Sequence, residues 1–272
     1  MRLSCLPVSF YPDFTQGERS LGDWFRFAAA LGLDGADVSI AHLAGAGPDM
    51  LRGLRGEAAD AGVVIAGMVT YTDFTHPDPD ERARQVDMLR RAIETGHTLG
   101  VDFLRVTAGQ AHPGVERADG VAWAVAGLLS CLDEAEAAGV QLVYENHTIG
   151  YGWTYFDFSQ PADVFLEIVE RAADPRLGVL FDTANNLARS EDPLAVLEQV
   201  IHRVAVVHAS DIRRAGAFEP VVLGTGVAPN REVFRRLQAA GWDGWLSVEE
   251  ASRTGEAGFV QAITAARRMW SL

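Results

Sequence analysis

The chain has 272 residues, 48% of them hydrophobic, and a mean hydropathy of +0.04. That is enough apolar content for one large core, at a length that suits a single barrel of about 250 residues. A formal net charge of −14 and a pI of about 4.9 exclude a nucleic-acid ligand held by Lys and Arg on phosphates, and suit a cytoplasmic protein handling small molecules.

Short apolar runs alternate with longer amphipathic segments eight times along the chain. Residues 3–10 read as the first strand and 21–31 as the first helix. The second pair is 35–40 and 48–61, and the third is 63–71 and 79–99. The fourth strand covers 103–107, with a helix from about 120 to 138. Then follow 140–145 with 161–172, 177–182 with 193–202, 204–208 with 230–240, and 244–249 with 256–270. Gly32, Gly62, Gly100, Gly139 and Gly241 fall just after helical runs, where a left-handed cap favours glycine. Pro79, Pro161 and Pro193 stand in helix starts, where the missing N–H costs nothing. This predicts a (β/α)8 TIM barrel, with 1–272 as a single domain. A doubly wound sheet would carry a Gly-rich nucleotide-binding turn after its first strand; Gly224-Thr225-Gly226 lacks the third glycine, comes late, and reads as a tight loop.

All 23 basic residues are Arg. Schiff-base lysines, P-loop lysines and Ser–Lys dyads are therefore excluded, and carbonyl activation must come from a metal, an Arg or neutral donors. Cys5 and Cys131 lack metal-site spacing and read as buried thiols in a reducing compartment. The N-terminal segment has no signal-peptide pattern, and no apolar run approaches the roughly 20 residues needed to span a bilayer, which points to the cytoplasm.

Four successive strands end in potential ligands: Leu142-Val143-Tyr144-Glu145, Val179-Leu180-Phe181-Asp182, Val204-Ala205-Val206-Val207-His208 and Leu246-Ser247-Val248-Glu249. Spacings of 37, 26 and 41 residues each fit one strand–loop–helix–loop unit. The C-terminal strand ends of a parallel barrel meet at one face, so two Glu, one Asp and one His would converge into a site for a hard divalent cation. Alternation sharpens the choice. Trp245, Ser247 and Glu249 share the inward face of their strand, while Leu246, Val248 and Glu250 face the helices; Glu145 turns inward with Val143. Glu250 then reads as a solvated or loop-pairing carboxylate.

The segments Tyr144-Glu145-Asn146, Gly178-Val179-Leu180-Phe181-Asp182-Thr183-Ala184-Asn185, Val207-His208-Ala209-Ser210-Asp211, Leu223-Gly224-Thr225-Gly226 and Gly244-Trp245-Leu246-Ser247-Val248-Glu249 resemble the xylose isomerase-like TIM-barrel superfamily of sugar isomerases and epimerases. The resemblance covers the C-terminal half specifically. It implies one Mn²⁺, or else Mg²⁺, Co²⁺ or Zn²⁺, held by Glu145, Asp182, His208 and Glu249, with Glu145 and Glu249 also moving the proton. It implies substrate contact by Arg214, with Arg213 as a rival. Ketose 3-epimerases of the group carry a histidine three residues after the Asp ligand, where this chain has Asn185.

The expected activity is a metal-dependent sugar or polyol isomerase or epimerase. A carboxylate removes a proton next to a carbonyl while the cation stabilises the enediolate. Loss of a β-oxygen from the same intermediate would instead make the protein a lyase or dehydratase on a keto-sugar or keto-inositol. An endonuclease IV-like enzyme needs extra ligands on the N-terminal strands, which offer only Asp37 and His42, and a non-catalytic sugar-binding protein would not need all four ligands. His42, His76, His112 and His147 lie in loops on the catalytic face, with His147 only two residues from Glu145. Tyr71, Phe74, Trp153, Tyr155 and Phe156 could wall a sugar pocket, and Asp211 reads as a supporting residue. The partner is a small sugar or polyol, with no nucleic acid and no membrane; a homo-oligomer is left open.

Overall fold

Eight parallel strands alternate with helices in a computed structural model that describes residues 1–271. The strands are β1 (Arg2–Leu6), β2 (Gly35–Ser39), β3 (Val64–Val69), β4 (Phe103–Val106), β5 (Gln141–Glu145), β6 (Gly178–Asp182), β7 (Val204–Ala209) and β8 (Trp245–Glu249). The helices are α1 (Tyr11–Gln16), α2 (Leu21–Ala30), α3 (Pro48–Ala61), α4 (Pro79–Leu99), α5 (Arg117–Leu129), α6 (Leu132–Ala138), α7 (Ala162–Arg171), α8 (Pro193–Val200), α9 (Asn230–Ala239) and α10 (Glu256–Trp270). Neighbouring strands pair in the order β1-β8-β7-β6-β5-β4-β3-β2. The seam between β1 and β2 is closed largely by one residue. The Asp34 N–H donates to the Leu3 carbonyl at 2.9 Å, and its carboxylate accepts from the Leu3 N–H at 2.8 Å. The result is a nearly closed (β/α)8 barrel, as the pattern of apolar runs predicts.

Strand alternation divides the core in two. Outward residues such as Leu104, Tyr144, Phe181, Val207, Leu246 and Val248 pack beneath the helices. Inward, Ala66, Phe103, Val143, Leu180, Val206 and Trp245 fill the barrel floor. Above them, Ser4 and Ser247 both donate to the Asp37 carboxylate, whose pKa burial pushes up to about 6 against those two bonds. The floor is thus dry at the bottom and polar at the top, and the strand ends above it carry the ligand candidates.

Most boundaries fall within one to three residues of the sequence expectation, and three differences have clear local reasons. The first strand stops at Leu6 and not at residue 10, because Pro7 cannot donate to the ladder and the chain turns into a short 3-10 helix, Val8–Phe10, followed by α1. The expected helix of about 120 to 138 is two helices. Ser130 Oγ donates to the Gly127 carbonyl at 2.7 Å and competes with the helical ladder at the break. Residues 201–202, expected to end the helix that begins at 193, belong to a separate 3-10 turn, Ile201–Arg203. All five cap glycines adopt positive φ, between 69° and 90°.

Gly226 shows why the loop after β7 needs its glycines. Asp211 accepts from the N–H groups of Gly224, Gly226 and Ala228, each at 2.9 Å, and a Cβ at position 226 would run into the Ile212 carbonyl and that carboxylate. Asp211 therefore builds the loop. No helix among the described residues is long and apolar enough to cross a membrane.

Candidate metal centre and active site

Glu145, Asp182 and Glu249 are the last residues of β5, β6 and β8, and His208 is the penultimate residue of β7. One ligand atom from each lies within 4.8 Å of the others, the one such cluster found among the described residues. Asp182 and His208 are direct register partners across β6 and β7. His208 Nδ1 lies 3.1 Å from Glu145 Oε1 and 3.0 Å from Glu249 Oε2. The ring therefore presents Nδ1 to the carboxylates and leaves Nε2 facing away from them.

Three carboxylates and an imidazole nitrogen, mostly buried, repel one another unless protons or a cation stand between them. In the metal-free molecule protons take that place. Burial opposes a charge on His208, yet Glu145 and Glu249 outweigh it and push the imidazole up to about 10. Burial, then Glu249 and Glu145, push Asp182 up to about 8. Glu145 moves the other way: burial raises its pKa, but Arg105 and His208 together hold the carboxyl well below its ordinary value. A set of three oxygen donors and one nitrogen suits Mn²⁺, Mg²⁺, Co²⁺ or Zn²⁺, and the residues fit such a cation.

Asp182 is held closely by its surroundings. Asp182 Oδ1 accepts from the N–H groups of Ala184 at 2.8 Å and Asn185 at 2.7 Å, and Ser210 Oγ lies 2.9 Å from both carboxylate oxygens. Asn146 clamps the backbone beneath it. Its Nδ2 donates to the Asp182 carbonyl at 2.9 Å and to Asn186 Oδ1 at 2.8 Å, while its Oδ1 accepts from the Asp182 N–H at 2.7 Å. Such supporting bonds fix ligand direction.

The cluster opens on a cavity of 570 Å³ lined by Tyr11, Tyr71, Arg105, His147 and Glu249 among others. Glu249, with 22% of its side chain exposed, faces this space, whereas Glu145 is only 1% exposed and lies behind. His147 also lines the cavity, and its Nδ1 is 3.2 Å from the buried Asp157 carboxylate. Trp153 is not among the lining residues; its ring meets His147 edge-on, with centroids 5.6 Å apart. Asn185 sits beside the ligands, but its Oδ1 accepts from Thr148 Oγ1 at 2.8 Å, so its side chain is engaged in the wall. Arg214 stands outside the lining, 68% exposed and paired with Glu219 at 2.7 Å; Arg213 pairs with the same carboxylate at 3.6 Å.

The other candidates scatter. Tyr71 lines the cavity, Phe74 is buried against Gly127 of α5, and Tyr155 packs on His112 at 5.6 Å. His112 bonds Asp73 at 2.8 Å with His76 against its ring, and His42 packs on Tyr11. Glu250 is buried and not solvated: it accepts from the Ser252 N–H at 3.1 Å, and its own N–H donates to the Leu6 carbonyl. Sequence reasoning missed Arg105, Tyr11, Asn146 and Ser210. Arg105 left one trace, a charged residue in the inward phase of an otherwise apolar strand, two positions after Phe103.

Comparison with known proteins agrees with this architecture. Residues 25–269 match the family described as xylose isomerase-like TIM barrel, and the chain belongs to that family. An inosose dehydratase of Geobacillus thermodenitrificans is 30% identical over 135 residues, and one of Lacticaseibacillus casei is 27% identical over 134. Each match covers 43% of this chain and 42% of the relative, so the chain spans less than half the length of these curated relatives. A D-psicose 3-epimerase from Clostridium cellulolyticum superposes with a TM-score of 0.81 at 15% identity, over 99% of both chains. A probable 3-DHS dehydratase from Bacillus anthracis gives 0.77 at 16% identity, over 98% of this chain and 99% of that one. A 3-keto-D-glucoside 4-epimerase from E. coli gives 0.76 at 14% identity, over the full length of both. These solved structures share the fold.

Proposed function

We propose that this member of the xylose isomerase-like TIM-barrel family is a divalent-metal-dependent enzyme that enolises a keto-sugar or keto-polyol, with loss of water as its net reaction. The observation that carries the reading is a carboxylate, Glu249, shared between the candidate ligand cluster and the wall of a cavity also lined by His147, whose ring is backed by the buried Asp157. Glu145, Asp182, His208 and Glu249 would hold the cation. When bound, it supplies Lewis-acid stabilisation of negative charge on vicinal substrate oxygens.

Glu249 faces the cavity and takes the proton from the carbon beside the carbonyl, because Glu145 is buried behind it and paired with Arg105. The C–H pair becomes the new C=C bond, and the carbonyl oxygen takes the negative charge. His147 then donates a proton to the departing β-hydroxyl, so that the charge returns to carbonyl form as water leaves. Asp157 on Nδ1 orients the imidazole for that step. Trp153 holds the ring from its edge. Similarity to inosose dehydratases supports this outcome, and a keto-inositol is the first substrate to try.

A second reading keeps the same first step. If Glu249 instead returns its proton to the neighbouring carbon the product is an isomer, and if Glu145, having first taken a proton from solvent, delivers it on the opposite face the product is an epimer, outcomes supported by the two glutamates that flank His208. Incubating keto-inositol with Mn²⁺-loaded protein separates the readings. A dehydrated dicarbonyl product, followed by near-ultraviolet absorbance and NMR, supports the lyase. A stereoisomer of unchanged mass supports the epimerase. Recovery of every keto-sugar and keto-polyol unchanged would defeat both.

A further inference from the structure

Arg105 has no role in the ligand set, yet it is among the most constrained charges in the molecule. It projects inward from β4, is 3% exposed, and lines the cavity beside Glu145. Its Nε lies 3.3 Å from Glu145 Oε2 without the geometry of a hydrogen bond, and neither Nε nor Nη1 has a hydrogen-bond partner. Buried guanidinium donors are costly to leave unmade. The Tyr71 ring lies under the guanidinium, 4.9 Å from Cζ, and restrains its plane. The buried Tyr11 hydroxyl in the same wall stands beside the Tyr71 hydroxyl without a well-formed hydrogen bond, and the Tyr71 hydroxyl is already bonded to Ser39 Oγ at 3.2 Å.

Two free donors, one of them charged, thus line a cavity whose base is a carboxylate, in a chain that has no lysine to polarise a carbonyl. We infer that Arg105, assisted by the Tyr11 hydroxyl, donates to the substrate carbonyl oxygen as it gains negative charge during proton abstraction. The inference rests on the enolising function proposed above and deepens it. Arg105 becomes a catalytic residue, and the preferred substrate carries a carbonyl and not only hydroxyls at that end. The balance is simple: the C–H bond breaks, its proton passes to the carboxylate, its electron pair forms the C=C bond, and the carbonyl π pair settles on the oxygen facing the guanidinium. Glu145 neutralises Arg105 at rest, so these donors discriminate by direction and by developing charge, the condition under which fixed donors favour a transition state over a ground state.

The test compares binding of two probes to Mn²⁺-loaded protein by calorimetry: threonohydroxamate, a planar mimic of the enolised substrate, and threitol, its reduced counterpart. Wild-type protein should favour the hydroxamate strongly. Because Arg105→Met removes the charge beside Glu145, both proteins are compared at saturating Mn²⁺, where the variant should hold threitol nearly as well as wild type. It should lose about 10–100-fold in hydroxamate affinity and about 10²–10³-fold in α-proton exchange rate, the scale for removal of one oxyanion donor. Added guanidinium ion at non-denaturing concentration should restore part of that exchange. Tyr11→Phe, a smaller change that guards against a misfolded Arg105 variant, should show the same selective loss in milder form. Equal losses for both probes, or none for either in both variants, would overturn the inference while leaving the metal site standing. Wild-type protein that binds no Mn²⁺ would overturn the proposed function itself.

Discussion

Filling the ligand cluster with Mn²⁺ should expel protons, and their number follows from the site. In metal-free protein Asp182 titrates at about 8 and His208 at about 10. Near pH 7 both groups therefore hold their protons, so one bound cation should release about two protons. At pH 9 Asp182 is already ionised and release should fall to about one. The apparent affinity should climb about 100-fold per pH unit near pH 7 and about tenfold per unit near pH 9. Both folded values lie above the unfolded ones of 3.8 and 6.5, so both groups stabilise the metal-free fold on the acid side. The contribution of Asp182 is complete below about pH 4 and fades as pH rises towards 8; that of His208 is complete below about 6.5 and fades towards 10. Metal-free protein should therefore soften from pH 6 to pH 9, and Mn²⁺ should raise its melting temperature more at the alkaline end. Asp182→Asn keeps an acceptor for the Ala184 and Asn185 N–H groups and should release only about one proton near pH 7. Titration calorimetry in buffers of different ionisation enthalpy counts the protons directly. Zero release near pH 7, or release that grows with pH, would refute this account of the charge balance.

Three further outcomes separate ligation, support and proton transfer. Glu249→Gln should lose about 10²–10⁴-fold in α-proton exchange even at saturating Mn²⁺, whereas excess Mn²⁺ should recover part of the Asp182→Asn rate; equal rescue of both would reduce Glu249 to a ligand. Asn146→Ala strips partners from the buried Asp182 backbone and from Asn186 Oδ1. It should cost about 1–3 kcal/mol in denaturant unfolding and about 10–100-fold in Mn²⁺ affinity, and unchanged affinity would show that the clamp does not orient the ligand. His147→Gln should leave exchange within a few-fold of wild type while slowing water loss by about 10²-fold; parallel loss of both would remove His147 from the leaving-group step.

Local chemistry explains which parts of the molecule were legible in its sequence. The helices Pro48–Ala61, Pro79–Leu99 and Glu256–Trp270 match their expected bounds, the first two because proline starts them and a left-handed glycine ends them. The cluster of Glu145, Asp182, His208 and Glu249 was legible as a group because parallel strands of a barrel deliver their last inward residues to one face. Of the cavity wall beside that cluster only His147 and Tyr71 were legible, because the other contacts join distant segments: Tyr11 comes from a helix hidden behind Pro7 and Arg105 from mid-strand. The offset that suggested Arg214 runs along a loop whose path turns on Asp211 and Gly226, and that path pairs the exposed guanidinium with Glu219, a residue of the cavity wall. Asn185 was found at the right place, but its amide belongs to the wall that supports Asp182.

The central claim is that these four strand-end residues hold a cation that makes a carbon acid of the substrate. Proton NMR of keto-inositol in D₂O tests it, using protein first stripped with chelator and then reloaded with Mn²⁺. The account predicts deuterium at the carbon beside the carbonyl only after reloading, and its loss in Glu249→Gln at the same metal occupancy. Exchange at full rate in stripped protein, or equal exchange by the Glu249→Gln variant, would contradict it.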